Sequence, residues 1–209
     1  MASLTREQVE EKAAAGESFY DADLSYSDLS GLDLSGLDLT HATLTRANLK
    51  GTNLTGATLS DAYMVEILAE GVDLSGAICH RTFFQRALMK DARFVGTDLN
   101  RAQFMVCRMP GVDFTDAKLT GAVLYDSEIE NATMVRTDCT GANFRGAILD
   151  GSEFRETAFI HTDLRKVKLH GATFTDIIDE GVLFYGKKPW GAASEDVNYD
   201  KILPYYQDD

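Results

Sequence analysis

The 209-residue chain carries 33 acidic against 20 basic side chains, a formal net charge of −13, and is 44% apolar. A chain of this length forms one domain with a core of its own. The acidic balance, without a basic patch, argues against direct binding of nucleic acid, and no segment approaches the roughly 20 apolar residues of a membrane span.

At the start of the chain, Thr5-Arg6-Glu7-Gln8 is a capping box, with Leu4 and Val9 placed as a hydrophobic staple. The pattern predicts a helix over 6–15 that stops at Gly16, with Val9 and Ala13 turned toward whatever follows. Such a helix reads as a cap over a sheet edge. Arg6, Glu7, Glu10, Glu11 and Lys12 stand where a secretory signal would be apolar, so the expectation is an unexported, cytoplasmic protein.

From Phe19 to Phe174 every fifth residue is apolar without a slip, as in Phe19, Leu24, Leu29, Leu34 and Leu39 or Phe84, Met89, Phe94, Leu99 and Phe104. A period of five matches neither a helix nor a flat strand. It calls for a backbone that turns a corner every five residues and buries one large side chain between corners. Two positions earlier stands a small residue, often Ala, and between the two a polar one, often Asp or Asn. Gly is frequent two positions after the large residue, where a positive φ costs it little. These columns describe a solenoid, a fold stabilised by neighbouring coils and without a built-in active site.

Through motifs such as Ala47-Asn48-Leu49-Lys50-Gly51 and Ala142-Asn143-Phe144-Arg145-Gly146, the chain resembles the pentapeptide-repeat family over roughly three quarters of its length. The resemblance implies an all-β fold, a right-handed quadrilateral parallel β-helix with four pentapeptides to a coil. Thirty-two repeats make about eight coils, and about 4.8 Å per coil makes a rod about 38 Å long. The expected organisation is a capping helix over 1–16, a β-helix over 17–176 and an aromatic-rich cap or tail over 177–209. The five-residue frame fails at Asp179, a partial echo at Val182-Leu183-Phe184 suggests one degenerate closing turn, and Lys187-Lys188-Pro189-Trp190-Gly191 reads as a turn. Tyr199, Tyr205 and Tyr206 give the last stretch an aromatic density that suits docking, on the rod or on a partner.

Chemistry-bearing residues do not converge. Cys79 and Cys139 fall in the inward column about 14 Å apart, too far to bridge, and Cys107 falls in the small column; all three read as buried, reduced thiols. His41 and His161 share a face but lie six coils, about 29 Å, apart, whereas metal ligands must meet within a few ångströms. Neither a phosphate-binding loop nor a nucleophile elbow appears. No cofactor and no catalytic activity are expected; the reading is a protein–protein interaction module.

Unrolling the coil assigns outward positions to four faces. On one of them Tyr63, Val65, Phe83, Met105, Val106, Val123 and Tyr125 point outward, and Leu68 and Leu88 follow round the next corner. Nine apolar side chains make several hundred Å², a size that marks a contact surface. Three occupants suit it: the chain's own C-terminal segment, a second copy in a homodimer, or another protein. Some members of the resembled family bind DNA gyrase by imitating duplex DNA, which offers gyrase as an alternative partner. A duplex about 38 Å long carries about 22 phosphates, whereas residues 18–176 carry 22 acidic side chains interleaved with 15 basic ones. The apolar face itself nets +1, from Arg46, Arg86, Arg145, Arg165 and Lys166 against Asp23, Glu66, Asp126 and Asp163. The most acidic face, with Asp33, Asp73 and Asp113, reaches only −4. The opening segment through Leu32-Asp33-Leu34-Ser35-Gly36-Leu37-Asp38-Leu39 is similar to repeat segments of bacterial type VI secretion accessory proteins, which points to a bacterial adaptor or effector-associated protein.

Overall fold

In the computed structural model, which describes residues 4–190, every fifth residue from Asp21 to Gly181 has a positive φ, between 51° and 74°. These are the corners. At corner after corner the amide of the small residue donates to the carbonyl of the large one three positions back, as from Ala22 to Phe19 and from Ala42 to Leu39, both at 3.0 Å. A positive φ at the third position makes this a type II turn, which suits Gly. Yet Asp, Asn, Arg and His hold the same conformation at many corners, and Val106 holds it too.

Between corners the chain is extended for about three residues. Leu24 N donates to Thr43 O at 2.8 Å and Thr43 N returns to Ala22 O at 2.9 Å, and the pattern repeats at an offset of 20 residues down the rod. The result is four parallel ladders, one per face, each paired mainly through the residue before the large one. The pairing lengthens to three-residue strands at β1 (Thr133–Val135), β2 (Glu153–Arg155), β3 (Ala158–Ile160), β4 (Thr173–Thr175) and β5 (Ile178–Glu180), with β1-β2-β4 in one sheet and β3-β5 in another.

The large column fills the tube and is almost wholly buried from Phe19 to Leu164. Phe84 stacks on Phe104 with centroids at 4.7 Å and Phe94 on Phe114 at 5.2 Å, while Phe94 meets Phe104 edge-on at 5.7 Å. Where the small column holds a hydroxyl, it links coils: Thr52 donates to Leu29 O at 2.8 Å, Thr82 to Leu59 O at 2.8 Å and Thr97 to Leu74 O at 2.7 Å. Each bond satisfies a buried hydroxyl and the second lone pair of a turn carbonyl. Cys107 takes the same geometry, its Sγ 2.9 Å from Phe84 O. All three cysteines are free and buried.

Both ends are closed by side chains. The helix α1 (Arg6–Ala14) has both bonds of the Thr5/Gln8 capping box. It ends one residue earlier than expected, in a Schellman motif: Gly16 N donates to Ala13 O and Glu17 N to Lys12 O, both at 2.9 Å. Val9 is fully buried. Arg6 donates to Asp28 O and Ser30 O, each at 3.0 Å, filling carbonyls that no earlier coil can reach.

At the other end the ladder does not stop at Asp179. β5 pairs with β3 in register, Phe159 opposite Asp179, and Leu183 pairs with Asp163, so a ninth coil is begun. The carboxylate is tolerated because Lys188 and Trp190 reach back and donate to it. The Trp190 ring then lies 5.3 Å from Phe159, 5.1 Å from Phe174 and 5.6 Å from Phe184. Tyr199, Tyr205 and Tyr206 lie outside the described residues, as does any contact of the C-terminal segment with the rod.

Candidate functional site: an exposed apolar face

The residue before each large one points outward and has a structural task. Where it is Asp or Asn, its carboxylate or amide oxygen accepts the backbone N–H two residues on, as from Ser25 to Asp23 (3.0 Å), Ser35 to Asp33 (3.1 Å), Ser75 to Asp73 (2.9 Å) and Thr115 to Asp113 (2.9 Å). Such local bonds favour the turn. Much of the chain's acidity is therefore in service of its own backbone. The hydroxyl and N–H of Ser25, Ser30 and Ser35 hold the carboxyls of Asp23, Asp28 and Asp33 below the usual carboxylate range, and those of Thr40 do the same for Asp38.

Two neighbouring ladders give this device up over several coils, one of them from Leu68 to Lys168 and the other on the face of interest. On the face that begins with Asp23, the ladder runs Tyr63, Phe83, Gln103, Val123 before returning to Asn143 and Asp163. The column after the large residues carries Val65, Gln85, Met105 and Tyr125 in the same four coils. Tyr63 and Phe83 stack with centroids 4.8 Å apart and planes 3° from parallel. Gln85 donates to Gln103 across the two columns at 3.0 Å. Tyr63 is 47% and Tyr125 37% exposed, with Val65, Phe83, Met105 and Val123 half-buried. Phe83 and Tyr125 thus share a face.

Leu68 and Leu88 lie on the next ladder, paired with one another. They are not continuous with the rest, because the intervening corner carries Arg46, Glu66 and Arg86. Arg46 donates to Glu66 at 2.7 Å, and Arg86 lies 3.7 Å from the same carboxylate. The two leucines instead line a shallow depression of about 270 Å³ with Lys50, Glu70, Lys90, Arg108 and Pro110. The link is Val106, which replaces the charged corner residue one coil on and is 49% exposed. A β-branched residue at φ +60° is an outlier that costs on the order of 1 kcal/mol or more. Val106 at this corner does not serve the rod. Sequence reasoning finds the apolar side chains but misses Gln85 and Gln103, whose place between them shows only when outward columns are read as a grid.

Several acidic residues of the rod are matched by Arg on a neighbouring coil. Arg81 bonds Asp61 at 2.7 Å, Arg93 bonds Asp73 at 2.9 Å, Arg108 bonds Glu128 at 2.7 Å and Arg136 bonds Asp116 at 2.6 Å, each across one coil. Among the described residues no three His, Cys, Asp or Glu side chains are grouped to hold a metal ion, and no helix is long and apolar enough to cross a membrane.

The profile of pentapeptide repeats matches residues 18–56, 70–104 and 137–176, in eight copies. No curated protein matches the chain. Among solved structures, HetL, a pentapeptide repeat protein involved in heterocyst differentiation regulation from the cyanobacterium Nostoc sp. strain PCC 7120, is 20% identical. Its match covers 87% of this chain and 97% of its own, with a TM-score of 0.56. QnrB1, a plasmid-mediated fluoroquinolone resistance protein, is 19% identical at full length; the match covers 82% and 94% of the two chains, with a TM-score of 0.42. A pentapeptide repeat protein from Nostoc PCC 7120, alr5209, is 29% identical over 61% of this chain and 84% of its own, with a TM-score of 0.33.

Proposed function

We propose that this chain, which belongs to the pentapeptide-repeat family, is a non-catalytic protein–protein interaction module that works through the apolar face centred on Phe83, Met105 and Tyr125. The observation that carries the reading is the double departure at that face. The places of Asp and Asn go to Tyr63, Phe83, Gln103 and Val123, a set without charge where the neighbouring ladder includes Arg108, Glu128 and Lys168, and the adjoining corner places an exposed Val106 in a conformation that suits Gly. Both choices cost the rod locally and both present apolar surface, the pattern of a site kept for binding. The rod supplies rigidity: the outward side chains stand on four ladders held from coil to coil. A bacterial cytoplasm and an adaptor role beside a secretion system suit the acidic chain and its opening segment.

Affinity capture from a bacterial lysate with wild type and Phe83→Glu tests the reading. A partner lost only with the variant supports it. Gyrase subunits retained by both proteins, together with altered supercoiling in their presence, would replace it with DNA mimicry. The cross-coil ion pairs weigh against that alternative, since an Asp bonded to Arg is a poor stand-in for a phosphate.

A further inference from the structure

The eight outward positions of the apolar face form a grid of four rows, one per coil: Tyr63 and Val65, Phe83 and Gln85, Gln103 and Met105, Val123 and Tyr125. A half-turn about the normal to the face, centred between the second and third rows, exchanges Tyr63 with Tyr125, Val65 with Val123, Phe83 with Met105 and Gln85 with Gln103. The Gln85–Gln103 hydrogen bond crosses that centre. Nothing in the fold asks for this relation. The solenoid repeats by translation every 20 residues, whereas the half-turn relates the position before a large residue to the position after one. It also stops at the four coils: Thr43 and Thr45 on one side meet Arg145 and Asn143 on the other.

We infer that the occupant of this face is a second copy of the chain, packed face to face about a two-fold axis lying in the contact plane; the inference rests on the reading of the face as a working surface. Tyr63 and Phe83 stand at one corner of the grid, and Met105 and Tyr125 at the opposite one. Val65, Gln85, Gln103 and Val123 occupy the other diagonal. A second copy turned about an in-plane two-fold therefore sets each Tyr opposite a Val, and Phe83 and Met105 opposite Gln. This holds whether the rods run antiparallel (Tyr63 on Val123, Phe83 on Gln103) or parallel (Tyr63 on Val65, Phe83 on Gln85). High positions meet low ones in either case, the self-complementarity an isologous contact needs. Such a contact closes on itself and uses all four rows of the grid. The charge is compatible: this face nets +1 in a chain of −13, so two copies meet where repulsion is least. Four coils at about 4.8 Å make a strip about 19 Å long. That places the contact at the small end of specific interfaces, with a dimer that dissociates on dilution into the micromolar range.

Sedimentation equilibrium of the full chain from about 1 to 200 μM is the test, with Phe83→Glu and Tyr125→Glu alongside and circular dichroism to show that each variant keeps its fold. The expected result is a concentration-dependent monomer–dimer equilibrium whose dissociation constant rises at least about tenfold in each variant. A wild type that stays monomeric throughout overturns the inference; if Phe83→Glu still abolishes capture of another protein, the interaction reading survives with a different occupant. A dimer indifferent to both substitutions also overturns it, by placing the contact elsewhere on the chain.

Discussion

The indole Nε1 of Trp190 donates to the Asp179 carboxylate at 3.1 Å while its ring covers Phe159, Phe174 and Phe184. A charged residue in the inward column is thus what anchors the lid over the open end. The Lys188 ammonium, foremost, and the indole hold the Asp179 carboxyl below the usual carboxylate range. A depressed folded-state pKa stabilises above the unfolded value, about 3.9, and the benefit is lost as pH falls through the folded one. Trp190 is the only tryptophan, so its fluorescence reports the lid directly. The emission is expected to shift to the red as pH falls below about 4, and Asp179→Asn is expected to show the loosened spectrum already at neutral pH.

Val106 trades stability for surface. Asn tolerates its conformation better, so Val106→Asn is expected to stabilise the rod by about 1 kcal/mol, seen as a raised Tm. The same change is expected to weaken whatever contact the apolar face makes. Gly36→Ala, at a corner with φ +67° and open space around the added methyl, is the converse control and should cost about 1 kcal/mol.

The ladder aspartates separate charge from geometry. Asp33→Asn keeps an acceptor for the Ser35 N–H and should leave the fold intact; Asp33→Ala removes the acceptor and should lower Tm. In wild type the first two coils are expected to loosen before the rest in acid. Asp23, Asp28, Asp33 and Asp38 all have depressed carboxyl pKa values, and that stabilisation is lost below about pH 3.9. Hydrogen exchange along the chain at falling pH measures the order.

The three thiols are expected to be inert in the folded protein. Burial pushes the Cys107 thiol up to about 12 and raises those of Cys79 and Cys139 well above the usual thiol range. Thiolate is the reactive form, so a pKa of 12 slows alkylation at pH 8 by about a thousandfold against a free thiol. Modification that keeps pace with unfolding would bear this out, and a fast phase at native conditions would contradict it.

The rod is legible in the sequence because one apolar side chain must enter the tube at every fifth residue, and a column from Phe19 to Phe174 without a slip leaves little freedom. The face is legible for the same reason: once the coil is 20 residues, the neighbours of Phe83 are known to be Tyr63 and Gln103. Asp179 is misread because an inward column is judged by hydropathy alone, whereas its partners Lys188 and Trp190 come from farther along the chain. The reach of Leu68 and Leu88 is overstated because Glu66 and Arg86, read from the sequence only as charges to be summed, pair on the corner between the two ladders. The half-turn relation within the face was present in the letters but not in any single column of them.

The 20-residue pitch makes length and azimuth separate properties of this rod. Excising 20 residues shortens it by one rung and leaves every downstream side chain on its own face. Excising five swings everything downstream through a quarter-turn, carrying residues such as Val123 and Tyr125 away from Tyr63 and Phe83 while each coil stays sound. The position of the apolar face is a phase relation counted in pentapeptides, and a single-motif deletion is expected to erase the surface without weakening the tube beneath it.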